Sequence, residues 1–461
     1  MTRLWLPMLV VGLMCFVAPA AEAADVGEGV PLQDIVDDAP PGSVINLDAT
    51  VYTGPVVIEK PLTLRGVEGA VIDGQGLGHV IEVLAPEVTI EGVVIRNSGD
   101  RLDKEHAGVS ADDADGLRIL DSVFENTLFG MFIRSSRDVT VSGNVIGSKD
   151  LFIARRGDGI RLWESSGALI EGNEIAEGRD TVFWFTDDIT VRDNSVSGGR
   201  YGLHFMYSDN ALVEGNLLSD NSVGAFLMYS TNLKVYRNTV VDNRGPSGYG
   251  LGLKDMDDVE LSGNRFEDNR IGLYLDNSPS RVDGNQIVLN NVFAFNDTGV
   301  KFRPSVRHNS FSENAFIDNT EHVSIAGGGR IQENEWTLAG RGNHWSDYSG
   351  YDADDDGIGD LPYKLDHLFS SLTDRHPELR FLSGTPAARA IDLAGEAFPN
   401  LRPEPKLVDT APLVSTPGFP DTPPVGGGSS RLAVLVSSAI LLLMAGTIVA
   451  VARPRGVWRV A

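Results

Sequence analysis

One cysteine, Cys15, stands in the whole chain, and it falls inside an N-terminal apolar segment. Its surroundings, Gly12-Leu13-Met14-Cys15, fit a lipid-attachment box poorly. The remaining residues therefore offer neither a disulfide framework nor thiolate metal ligands. Positive charge is also scarce: 38 Lys and Arg face 64 Asp and Glu, a net charge of -26. That balance argues against nucleic acid or an anionic lipid surface as the partner of the body. It is compatible with a cationic ligand, but solubility of an exported, tethered body is the weightier reading. Leucine-rich repeats are excluded too, because the fixed Leu ladder and helical return segments are missing.

Long apolar runs are confined to the two ends. Residues 1–24 read as a secretory signal, with Arg3, an apolar run through Val17 and the cleavage region Ala20-Ala21-Glu22-Ala23. Residues 431–453 hold the uninterrupted stretch Leu432 to Ala452, long enough for a bilayer-spanning helix. Arg453, Arg455 and Arg459 follow it, which puts the tail 454–461 on the cytoplasmic side. The body then faces the periplasm or the extracellular space, tethered through a Pro/Gly-rich linker, 402–430.

Between these ends the chain repeats itself. Gly202-Leu203-His204-Phe205-Met206-Tyr207 is followed 22 positions later by Gly224-Ala225-Phe226-Leu227-Met228-Tyr229. In each, an Asn lies 14 residues after the Gly (Asn216, Asn238), and the same spacing joins Gly130 to Asn144, Gly159 to Asn173, Asp180 to Asn194 and Gly250 to Asn264. Gly272 to Asn285 is one residue shorter. Apolar residues at the first and third positions after the Gly, with polar corners, describe short strands with one buried face. Three strands per coil predict an all-β solenoid, a right-handed parallel β-helix of about ten coils over 25–340, with stacked Asn at its corners. A cap and docking segment, 341–401, follows as a small α/loop region, with the docking surface expected at 361–399.

If positions one and three point inward, two and four point outward. His204 is then two residues from Met206 on one face, and Met206 stacks on Met228 in the next coil, about 4.8 Å away. Two thioethers and an imidazole suit Cu(I) and resist the oxidation that threatens thiols. The same residues, with Trp163, Trp184, Tyr207 and Tyr229 beside them, equally suit a partner-docking surface. The acidic run Asp352, Asp354, Asp356, Ile358 and Asp360 has the spacing of a calcium loop, although Tyr363 stands where the closing Glu is expected. A solvated acidic turn is the alternative; calcium as a structural cap is the favoured reading. No pair of carboxylates converges on the outward columns, so the expectation is a non-enzyme; Trp163 and Trp184 keep carbohydrate binding open.

Taken together, these residues resemble the NosD family, periplasmic β-helix proteins of nitrous oxide reductase maturation. The resemblance is carried by His204-Phe205-Met206-Tyr207, Leu227-Met228-Tyr229-Ser230, Gly340-Arg341-Gly342-Asn343-His344-Trp345-Ser346-Asp347, Gly357-Ile358-Gly359-Asp360 and Leu407-Val408-Asp409-Thr410-Ala411-Pro412-Leu413. It implies a copper-handling role beside an ABC-type permease and ATPase and a small copper chaperone, with nitrous oxide reductase as the eventual recipient. The membrane tail departs from the soluble form the family leads one to expect.

Overall fold

The computed structural model describes residues 29–331 and 333–418. The expected signal segment, membrane helix and tail lie outside these residues, as does the linker from residue 419 on. Among the described residues no helix is long and apolar enough to cross a membrane.

The chain winds as a right-handed parallel β-helix with three sheets of 14, 12 and 12 strands. Each strand pairs in parallel with its counterpart one coil on, as in Tyr201–Met206 against Val223–Met228. More coils form than the ten or so expected. Val44–Leu47, Thr63–Gly66 and Thr89–Glu91 already stack in one sheet before Gly108, where the 14-residue spacing first appears, ending there on Ser122 in place of Asn. The alternation holds: Leu203 and Phe205 are fully enclosed, and Ala225 and Leu227 nearly so.

Corners are held by side-chain ladders. Asn194 donates both its backbone N–H and its Nδ2 to Oδ1 of Asn216, at 3.0 Å each, while Nδ2 also reaches the Ile170 carbonyl at 2.9 Å. Asn216 repeats this on Asn238, and Asn238 on Asn264. Buried backbone groups at the bends are thereby satisfied without a regular ladder. Asn264 then passes to Asn291, not to the expected Asn285. The turn before it is longer, because Asp257 accepts from the backbone of Ser280 and Arg281 and holds extra residues there. A second ladder, Asn221–Asn243–Asn269–Asn296, runs beside the first.

Both ends are stoppered. Helix α1, Leu32–Asp38, buries Leu32 and Val36 over the first coil. Its Gln33 amide donates to and accepts from the backbone of Val57, satisfying an edge strand that would otherwise be free. At the other end the last sheet strand is His344–Trp345, so the coil outruns the boundary expected at 340. A file of stacked rings, Phe266, Phe293, Phe316, Trp345 and Tyr363, closes the core at centroid spacings of 4.3–5.1 Å. Asp409 accepts from the Asn343 backbone at 2.7 Å and the Trp345 indole at 3.0 Å, ending the Asn ladder. Residues 402–413, expected to open the linker, are therefore part of the cap; Val408–Asp409 pairs with Tyr363–Lys364. Helices α2, Leu368–Arg375, and α3, Pro386–Ala397, pack beside the last coils.

Candidate metal site on the outer face

One 12-stranded sheet runs from Val56–Ile58 to Glu321–Ile325 and carries the outward columns. Its register pairs Met206 with Met228, Trp184 with Met206, and Met228 with Lys254. Both thioethers are half-buried neighbours on adjacent strands, as expected. His204 lies in the next column, between Val182 and Phe226. It is not an exposed ligand, being only 7% accessible. The rings of Trp184 and Tyr201 close over it at 5.2 and 4.8 Å. Met256, on the next coil, is a core residue with no exposure. It lies two residues past Lys254, the register partner of Met228, and so takes the inward corner position of Ser208 and Ser230, its N–H donating to Ser278.

Behind His204 stands Asp180, a residue that sequence reasoning treated only as a corner. Asp180 occupies the place that Gly holds in neighbouring repeats, and that departure was the available signal. Its carboxylate accepts from Arg200 and from the Tyr201 backbone, and His204 Nδ1 lies 3.8 Å from Oδ2. Burial works to raise this carboxyl, but His204 and Arg200 outweigh it and hold Asp180 below its ordinary value of 3.8. Among the described residues His204 Nδ1 and Trp184 Nε1 are buried with no hydrogen-bond partner. A closure of about 0.8 Å would give Nδ1 its acceptor. A carboxylate on one imidazole nitrogen orients the other toward a metal, so the arrangement fits a His ligand with its supporting acid. Soft thioethers beside it fit Cu(I) as cargo.

The flanks differ in use. Trp163 contacts Trp184 and Phe185, but it also packs on an internal cluster of Leu128, Phe129 and Phe132. Arg161 ties that cluster down, pairing with Asp158 and Glu105 while its guanidinium lies over Phe129 and Trp184. Burial pushes the Asp158 carboxyl up, against the pull of Arg161 and Arg179. Tyr207 and Tyr229 stack at 5.0 Å, continue Phe185, and receive Lys254 over the Tyr229 ring. Both tyrosines sit at left-handed turn positions, φ 53°, which throws their rings outward. Of the expected calcium ligands, the carboxylates of Asp352, Asp354 and Asp356 converge within 4.8 Å. Asp356 raises the Asp354 carboxyl by repulsion. Asp360 does not join them; it accepts from the Ala353 N–H. The loop is tied instead to the cap, where the Gly357 carbonyl accepts from Val414.

The family model described as periplasmic copper-binding protein (NosD) matches residues 142–350, which include every candidate copper ligand. Similarity extends further in a Pseudomonas aeruginosa relative, "Probable ABC transporter binding protein NosD". It is 31% identical over 429 residues, 90% of this chain and 97% of the relative. The chain belongs to the NosD family. A Stutzerimonas stutzeri NosD of the same description is 30% identical, over 80% of this chain and 86% of its own. Among solved structures the A-module of mannuronan C-5 epimerase AlgE6 from Azotobacter vinelandii aligns over 69% of this chain and 94% of its own, at 14% identity and TM-score 0.48. A family 28 exopolygalacturonase from Yersinia enterocolitica aligns over 70% and 78%, at 11% identity and TM-score 0.47.

Proposed function

We propose that this NosD chain is an exported carrier that takes Cu(I) on its outer sheet and passes it on for assembly of nitrous oxide reductase, without catalysing a reaction. The reading is carried by one observation: two thioethers paired in register beside a buried imidazole whose Nδ1 faces Asp180. Met206, Met228 and His204 supply three soft or borderline donors. A fourth position is left for a donor or acceptor protein, which favours transfer over storage. The family description, periplasmic and copper-binding, supports the compartment and the cargo.

The relatives' names support an ABC transporter as partner. The segment 361–399 is the docking surface in this reading. It carries Phe381, Leu393 and Phe398, 78%, 62% and 62% exposed. Handover is tested by mixing the Cu(I)-loaded protein with a small apo copper chaperone and with apo nitrous oxide reductase under anaerobic conditions. Copper should leave the carrier for at least one of them. Retention of copper against both would sink the transfer role while leaving the site.

A second reading rests on Phe185, Tyr207 and Tyr229, whose stacked, outward rings suit a sugar chain. It predicts polysaccharide binding or cleavage that is lost in Tyr207→Ala and indifferent to copper. The calcium loop is a smaller element of the proposal: Asp352, Asp354 and Asp356 would hold the ion as a brace for the cap, without Asp360.

A further inference from the structure

A cavity of about 690 Å³ lies between the outer sheet and helices α2 and α3, several coils from the methionines. Its wall concentrates positive charge in a chain that has little. Arg270, Lys301, Arg380 and Arg389 all line it. Lys301 is in the same outward column as His204 further along, between Tyr274 and Ser324 in register. The cap covers this end of the column, so the Lys301 ammonium is half-buried, and burial together with Arg380 lowers its pKa.

The acids that share the wall are already committed. Asp297 pairs with Arg244 at 2.6 Å. Glu321 accepts from Ser370 and Thr373 through Oε1 and from Arg380 through Oε2. Asp392 accepts from the Phe369 N–H in the first turn of α2. Among the described residues Lys301 and the Arg389 guanidinium have no hydrogen-bond or ion-pair partner. Arg380 Nε is likewise buried without an acceptor. A half-buried ammonium near the Arg380 and Arg270 guanidinium groups, beside an orphaned donor, is only partly offset by the charges of Glu321 and Asp374.

We propose that this cavity binds a small polyvalent anion, phosphate-, sulfate- or carboxylate-bearing, held between Lys301, Arg380 and Arg389. Charge-assisted contacts from a guanidinium fork and a point-charge ammonium suit such groups. The anion would lock α2 and α3 against the sheet, coupling cap position to a soluble ligand. The site does not depend on the copper reading.

The test is calorimetric titration of the full chain with inorganic phosphate, sulfate and citrate, each against sodium chloride at matched ionic strength. At least one anion should bind saturably, and Lys301→Met and Arg389→Gln should each weaken it about tenfold or more. Arg389 is on the exposed side of α3, so Arg389→Gln keeps the test decisive should Lys301→Met fail to fold. Binding no stronger than chloride by all three anions, or anion binding undiminished in Arg389→Gln, would overturn the proposal. Copper binding serves as the internal control and should be equal in wild type and both variants.

Discussion

The coils around Met206 and the cap around Asp409 both carry family-specific motifs, yet the motif residues treat polar groups differently. In the cap, Asn343, Trp345 and Asp409 satisfy one another, although the neighbouring Trp336 indole N–H is buried without a partner. In the middle coils, His204 Nδ1 and Trp184 Nε1 are enclosed and left without a partner. The cap motif is therefore architecture, held by its own hydrogen bonds. The middle coils hold groups whose orphaned state costs stability unless something else uses them. Matching motifs do not imply matching roles; hydrogen-bond satisfaction separates them.

That contrast can be broken most forcefully at the cap. Asp409→Ala strands the Asn343 N–H and the Trp345 indole, so stability should fall by about 3 kcal/mol, read by urea unfolding. A loss below about 1 kcal/mol would mean that the ladder is not closed by Asp409. In the ladder itself, Asn216→Ala removes the acceptor of Asn194 and should cost about 1–3 kcal/mol by the same measurement, with no effect on copper affinity.

The site should respond the other way round. Asp180→Asn removes the charge behind His204 and should weaken Cu(I) binding about tenfold, the usual reach of a supporting carboxylate. It also has a pH signature. The Asp180 carboxyl is held below its ordinary value of 3.8, so its contribution to stability is fully present above that value and is lost as pH falls through the depressed one. The unfolding midpoint of Asp180→Asn should accordingly fall less steeply below about pH 4 than that of wild type. Parallel acid limbs would show that Asp180 gains nothing from His204 and Arg200. The smallest effect is expected at Phe381→Ser, which should leave stability within about 0.5 kcal/mol and weaken only co-purification with the transporter.

The fold was readable because period-two alternation and corner Asn recur at a fixed spacing, and both are local properties of sequence. The coils before Gly108 were undercounted because they bend without that spacing. Asn285 was misassigned because Asp257 holds extra residues in its turn, a contact invisible in one dimension. The Met206–Met228 pair followed directly from register. The burial of His204 did not, since it depends on Tyr201 and Trp184 folding over it from different coils. Asp180 announced itself only as a missing Gly. The cation-lined cavity had no signal at all, because Lys301 and Arg389 come to line one cavity only when the cap folds back on the sheet.

The central claim is that the paired methionines hold copper and do not merely pack. Anaerobic Cu(I) titration of the full chain against Met206→Ala/Met228→Ala tests it most directly, with urea unfolding run on both. Wild type should bind one equivalent, and the double variant should lose about tenfold or more in affinity while unfolding at nearly the same urea concentration. Equal affinity in the two proteins would contradict the account and remove Met206 and Met228 from the site.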